Sequence, residues 1–206
     1  MGLYSKYIFP LILELGLGRK EIQDLRRELL QRARGDVLEI GFGTGLNLPH
    51  YPSQIKKLTV VEPNTGMQGR ALKRIQKSGI QVEQHALRGE SLPFADGSFD
   101  MVVSTFTLCS IADERAALRE ILRVLKPGGK LLFMEHGLAD REGIRVWQRR
   151  LNPLNRRIAD GCHLDRDIES LVAGSGLRIA SLKKFYFEKA PKVFGYFYQG
   201  VGEKAQ

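Results

Sequence analysis

Residues 37–45 read VLEIGFGTG, a short apolar run that ends in glycines at three alternate positions, Gly41, Gly43 and Gly45. Few stretches restrict a fold more. Glycines directly after a strand let the backbone turn sharply and let a ligand approach with no Cβ in the way. A helix that follows offers its first free N–H groups to the same ligand. The spacing is G-x-G-x-G, not the G-x-G-x-x-G of a dinucleotide site, because position 46 is Leu46.

After this turn the sequence alternates. Apolar runs at 37–40, 58–62, 80–84, 99–105 and 131–135 predict strands, and helical patterns occupy 65–77 and 113–125. Asp113 caps the second helix and KPGG at 126–129 stops it. Such alternation predicts βαβ units and a parallel sheet with helices on both faces. A helix after Asp165 and two late strands, 178–187 and 193–201, complete the pattern. Right-handed crossovers then place the carboxyl ends of the parallel strands along one edge, where ligands bind.

At 206 residues the chain is expected to form a single domain with a sizeable core. Leu3, Tyr4, Tyr7, Ile8, Leu11, Ile12 and Leu15 form a helical stripe, and Pro10 makes this a kinked or two-piece helix. A second amphipathic helix carries Ile22, Leu25, Leu29 and Leu30 and stops at Gly35. The expected organisation is an N-terminal helical lid (1–35), a cofactor-binding core (36–136), an acceptor-side insertion (137–165) and a C-terminal helix with strands (166–206). Residues 1–20 and 137–165 would close over the acceptor. No run reaches the roughly 18 apolar residues that cross a bilayer, and YIFPLILELGL does not read as a signal peptide. Cys109 and Cys162 form no CxxC pair and no metal-ligand spacing, which suits a reducing cytoplasm and a protein without a metal.

The net charge of +9 is uneven: +3 over residues 1–35, zero over 36–140 and +6 over 141–206. Basic flanks around a neutral core attract anionic partners such as lipid headgroups, nucleic acid or an acidic small molecule, or else form a solvated face. Glu39 sits at the end of the first strand, beside the glycine turn. It would repel a pyrophosphate and suit an amine-bearing ligand. Glu62 ends the second strand, where a carboxylate can grip ribose hydroxyls. A nucleoside with a positive end and no phosphates satisfies both, and S-adenosyl-L-methionine is such a ligand.

These stretches carry a family resemblance. LEIGFGTG, VVEP, GESLPFADGSFDMVVSTFTLCSI and LREILRVLKPGGKLLFMEH resemble, in order over residues 37–136, the motifs of class I S-adenosylmethionine-dependent methyltransferases. The resemblance implies a Rossmann-like α/β sheet, mostly parallel with one antiparallel strand. It also implies that Gly41, Phe42 and Gly43 line the methionine and ribose portion, that Glu62 holds the ribose and that Pro63 packs on the adenine. Asn47 would reach the carboxylate. Thr105 would contact the same carboxylate or serve only as a strand-end hydroxyl. Many relatives place an Asp before the LPF motif for the adenine amino group; here that position is Arg88, which cannot accept a hydrogen bond. Gly89 and Glu90 would then supply the adenine contacts, or backbone or water would, and Glu90 could instead cap the turn. WQRRLNP, DGCHLDRD and PKVFGYFYQGV resemble a narrower group. It contains small bacterial phospholipid-type methyltransferases and mammalian membrane-associated alkyl-thiol methyltransferases, whose N-terminal membrane anchor has no counterpart in this sequence.

The acceptor side is expected in the segment after the fifth strand. His136 stands at that strand's carboxyl end, as a base oriented by Glu135 or as a strand-end cap. His163 is a second candidate base. Tyr4, Trp147, Cys162 and Arg166 are candidate acceptor contacts, each with a packing or pairing alternative. Expected acceptors are a small hydrophobic thiol or, second, a phospholipid amine, with the protein resting on an anionic membrane surface. A nucleic-acid acceptor is disfavoured, because STFT follows the fourth strand where base-amine methyltransferases carry an aromatic Asn/Asp-Pro-Pro clamp.

Overall fold

The structure is a computed structural model that describes residues 2–206. Seven strands form one sheet: β1 (Val37–Ile40), β2 (Lys57–Val61), β3 (Gln81–His85), β4 (Phe99–Thr105), β5 (Leu125–His136), β6 (Arg178–Tyr186) and β7 (Tyr196–Glu203). Their order is β3-β2-β1-β4-β5-β7-β6. The first five pair in parallel, and β7 alone runs against both of its neighbours. This is the Rossmann-like arrangement expected from the sequence. The strand order reverses beside β1, so the crevice above the β1 and β4 carboxyl ends is the ligand edge.

Six α-helices surround the sheet: α1 (Phe9–Leu17), α2 (Lys20–Leu30), α3 (Gln68–Ser78), α4 (Glu114–Val124), α5 (Glu142–Ile158) and α6 (Ile168–Ala173). Strand residues alternate between faces, so each face has its own core. Leu38, Ile40, Val102, Leu131 and Phe133 pack with Leu118 and Ile121 of α4 on one face. Val37, Val60, Met101, Val103 and Leu132 pack with Ile22, Leu29 and Leu30 of α2 on the other. Each fully buried leucine or isoleucine there stabilises the fold by about 1.5–3 kcal/mol.

One local feature differs from expectation. KPGG ends α4 but does not form a loop, because β5 already starts at Leu125. Gly128 takes φ +71 and the register against β4 shifts between Phe99 and Met101, so the sheet absorbs the turn as a bulge. The late helix follows Asp165 as expected and is capped by Asp167, whose carboxylate accepts from the Ser170 N–H. The first helix runs over residues 4–17. It is in two pieces as Pro10 predicts, a π turn over Tyr4–Ile8 followed by α1 with Pro10 in its first turn. Its apolar stripe faces outward: Leu3 and Leu15 are 78% and 77% exposed, and Tyr7, Ile8, Leu11 and Ile12 are also exposed. The inward face carries Ser5, Phe9, Leu13 and Leu17 instead.

Candidate active site

A cavity of about 650 Å³ opens above the carboxyl ends of β1, β2 and β4. Its floor is the glycine turn. Gly41, Gly43 and Gly45 have φ +72, +55 and +80, a region that side chains with a Cβ rarely adopt. A Cβ on Gly41 would lie 2.1 Å from Thr107 Oγ1, so the turn packs directly on the loop after β4. A Cβ on Gly43 would meet only the Gly41 carbonyl oxygen at 3.9 Å, which leaves that space to the cavity. Its roof is the inward face of the first helix, with Phe9, Leu13 and Leu17.

All ten residues assigned to the cofactor from the sequence line this cavity: Glu39, Gly41, Phe42, Gly43, Asn47, Glu62, Pro63, Gly89, Glu90 and Thr105. Glu62 is held at both oxygens, Oε2 accepting from the Gly43 N–H at 2.8 Å and Oε1 from the Asn64 N–H at 2.7 Å. Burial nevertheless raises its carboxyl above the usual range. Glu39 is buried, accepting from Tyr51 Oη at 2.6 Å and from Asn47 Nδ2 at 2.9 Å. Burial pushes its pKa up to about 7, against the lowering effect of those two hydrogen bonds and of Arg26. The Asn47 side chain is fully engaged. Its Nδ2 also donates to Thr105 Oγ1 at 3.0 Å, and its Oδ1 accepts from Arg26 Nη1 at 2.6 Å.

The acceptor-side assignments fall differently. None of His136, His163, Tyr4, Trp147, Cys162 and Arg166 lines the cavity, and from residues 137–206 only Asp160 does. Tyr4 Oη donates to the Ile158 carbonyl at 2.5 Å, tying the N-terminal helix to the end of α5. Trp147 is 53% exposed. The side chain that anchors α5 is its neighbour Gln148, which donates to the Gly137 and Val193 carbonyls and accepts from the Ala139 N–H. Arg166 is committed to the Leu108 carbonyl at 2.6 Å and to Glu114 at 3.1 Å, so it clamps two segments and does not face a ligand. Glu135 does not orient His136, because successive strand residues point to opposite faces. Its carboxylate accepts from Ser104 Oγ at 2.7 Å and from the Thr107 and Cys109 N–H groups at 3.2 Å, fixing the loop that borders the cavity.

His136 is buried behind that loop. Its Nδ1 lies 3.4 Å from Cys162 Sγ, and Cys162 Sγ lies 3.6 Å from Cys109 Sγ. The Cys109 thiol and then His136 hold Cys162 below the ordinary thiol range, while the same contact and burial raise Cys109. His163 donates its backbone N–H to the Cys109 carbonyl, and burial followed by the Arg166 and Arg156 charges lowers its pKa.

Two residues at the cavity were not anticipated. Arg26 comes from α2, is 3% exposed and lines the wall. Its position was readable as a break in pattern: a guanidinium four residues after Ile22 and three before Leu29, on the buried stripe. Phe106 follows β4 with φ +55, an outlier for a bulky side chain that costs on the order of 1–3 kcal/mol. Its ring meets Phe197 edge-on at 5.2 Å and has the Arg26 guanidinium 5.4 Å from its centroid. Sequence pattern carries no mark of such strain.

The arrangement fits S-adenosylmethionine. The volume suits a nucleoside-sized ligand. A paired carboxylate at the β2 end suits ribose hydroxyls, and a buried guanidinium and a buried carboxyl group flank Asn47. Among the described residues, no group of His, Cys, Asp and Glu side chains could hold a metal ion.

Comparison with known proteins gives a consistent picture. A methyltransferase domain model matches residues 38–133. The thiol S-methyltransferase TMT1B of Rattus norvegicus is 36% identical over 177 residues, covering 79% of this chain and 72% of its own. A phosphatidylethanolamine N-methyltransferase of Cereibacter sphaeroides is 28% identical over 147 residues, covering 70% and 71%. A solved SAM-dependent methyltransferase from Thermotoga maritima shares the fold, with a TM-score of 0.69 at 22% identity over 98% of this chain and 97% of that one.

Proposed function

The chain belongs to the class I S-adenosylmethionine-dependent methyltransferases, and we propose that the acceptor it methylates is a small hydrophobic thiol. The observation that carries this reading is the likeness to thiol S-methyltransferases over most of both chains, joined to an apolar roof of Phe9, Leu13 and Leu17. S-Adenosylmethionine supplies a methyl group on a sulfonium. Glu62 takes the ribose, Pro63 with Gly89 and Glu90 borders the adenine, and Gly41–Gly43 cradles the chain between them. The acceptor lies between the roof and Phe106, where the wall can hold its sulfur in line at about 3–3.5 Å from the methyl carbon.

No histidine among the described residues lines the cavity, and in this reading the acceptor ionises on its own. A thiol of pKa about 8.5 is a few per cent thiolate at pH 7. His136, with Cys162 beside it, shapes the loop behind the acceptor. The test is kcat/KM for a series of alkyl and aryl thiols between pH 6 and 9, with methyl thioether detected by mass spectrometry. The rate should rise with pH through each thiol's own pKa. A single pKa common to all acceptors would return a protein base to the mechanism, and methylation of phosphatidylethanolamine with no thioether product would replace the thiol.

The lipid-surface reading rests on a separate observation. The outward stripe of the first helix adjoins α5, where Trp147, Leu154 and Ile158 are exposed beside Arg149, Arg150, Arg156 and Arg157. No helix of the described residues is long and apolar enough to cross a membrane. Apolar side chains flanked by arginines instead suit the headgroup region of an anionic leaflet. Cosedimentation should favour anionic over neutral vesicles and weaken, without vanishing, as salt rises. Equal or tighter binding to RNA would remove this reading.

A further inference from the structure

Arg26 is a buried cation without a carboxylate of its own. Its Nη1 donates to Asn47 Oδ1 at 2.6 Å and to Thr105 Oγ1 at 2.8 Å, both neutral acceptors. Its Nε is buried and has no partner. The two nearest acids are occupied elsewhere. Glu39 accepts from Tyr51 and Asn47, and Glu135 accepts from Ser104 and the loop after β4. A guanidinium enclosed in this way loses its hydration and gains no matching anion, an arrangement that costs several kcal/mol unless something supplies one. Burial lowers its pKa only to about 10, so it remains a cation at neutral pH. It lines the cavity at the level of the glycine turn.

Asn47 gives this cation a fixed counterpart. One amide accepts from Arg26 and donates to Glu39, so a single side chain spaces a positive group and a carboxyl group along the same wall. We propose that Arg26 is the receptor for the α-carboxylate of the cofactor's amino-acid end, with Asn47 as the spacer that sets it against Glu39 on the α-ammonium side. A planar guanidinium fork matches a carboxylate better than any other side chain. Asn47 and Thr105 then act through Arg26, since their polar atoms are already engaged with it. The inference rests on S-adenosylmethionine as the cofactor, and it gives that ligand its orientation in the cavity.

The experiment is calorimetric titration of S-adenosylhomocysteine and of its decarboxylated counterpart, the adenosyl thiopropylamine, which lacks only the carboxylate. The wild-type protein should bind the first roughly 10–150-fold more tightly, the span expected of hydrogen bonds to a charged partner. Arg26→Met should lose that preference by weakening the first ligand and leaving the second within about three-fold. Arg26→Lys keeps the charge without the fork and should retain part of the preference. Equal binding of the two ligands by the wild type overturns the proposal with no variant needed, as does equal weakening of both in Arg26→Met. Binding of neither ligand by the folded wild type overturns the cofactor itself and the proposal with it.

Discussion

The glycine turn with its flanking strand ends and the segment from Gly137 to Arg166 stand on either side of one cavity, yet they are built on different principles. At the turn, backbone geometry is the working part. Three positive φ angles, a paired carboxylate and a buried amide define the wall, and every one of these groups lies at a strand end or within ten residues of one. The later segment instead works by docking. Gln148 pins α5 to backbone carbonyls, Arg166 clamps Leu108 to Glu114, and Asn152 accepts from the Leu164 N–H. It contributes one side chain to the cavity and many to holding the wall in place. A site of this kind keeps its cofactor chemistry in the geometry of the sheet edge and its acceptor shape in how outer elements settle on it.

The largest expected effect lies at the turn. Gly41→Val adds a Cβ about where Thr107 already stands and demands a strained φ. Cofactor affinity should fall by more than about 100-fold in titration, as backbone strain and steric clash each cost about 1–3 kcal/mol. A near-normal affinity would mean that the turn does not touch the ligand.

Next is the pH response of the same end. Glu39 ionises near 4.5 when exposed and near 7 in the fold. The folded protein therefore holds a proton there that the unfolded chain releases, so this stabilisation is full below about pH 4.5 and is lost as pH rises to about 7. The loss amounts to about 3 kcal/mol over that window. Denaturant titrations at pH 5, 6 and 7 should show the decline, and Glu39→Gln should flatten it. An unchanged slope in the variant would place the titration elsewhere.

Glu62→Ala should weaken binding of S-adenosylhomocysteine by roughly 1.5–3 kcal/mol, the range for a hydrogen bond to a charged partner. The free adenosine portion should lose affinity by a similar factor, and a loss confined to the amino-acid end would move Glu62 away from the ribose. The smallest effect belongs to the other region. Trp147→Ala, at an exposed position, should change stability by no more than about 0.5 kcal/mol and leave the thiol KM close to normal. A steep rise in KM would bring the outer segment into direct contact with the acceptor and erase much of the contrast drawn above.

What could be read from the sequence follows the same division. The sheet, its order of elements and the cofactor wall were legible because each signal is local: a glycine turn, a carboxylate at a strand end, a capping Asp113 that does accept from the Ala116 N–H. The N-terminal segment was recognisable as a helix with an apolar stripe, but the side chains that face the cavity were not. A helix apolar all round has no periodic sign of which face meets the cavity. Arg26 was missed because its partners, Asn47 and Thr105, lie 21 and 79 residues away, although a charge on a buried stripe marks such a residue. Trp147 drew attention as a large aromatic, while Gln148 beside it held the helix. Burial of an amide by backbone partners leaves no trace in hydrophobic pattern.

The N-terminal helix is fastened both to an early part of the chain, where the Ser5 carbonyl accepts from Asn64 Nδ2 and Glu14 from Arg74, and to a late one. Tyr4 reaches Ile158 and Ser5 reaches Asp160, across 154 and 155 residues of chain. Synthesis runs from the N-terminus, and a contact forms only when both partners exist. On the ribosome the N-terminal helix can therefore first meet Asn64 and Arg74, and it gains its fastening to Ile158 and Asp160 only once α5 has emerged. A nascent chain stalled before α5 would hold its N-terminal helix by the Asn64 and Arg74 contacts alone, without the two that fasten it to Ile158 and Asp160.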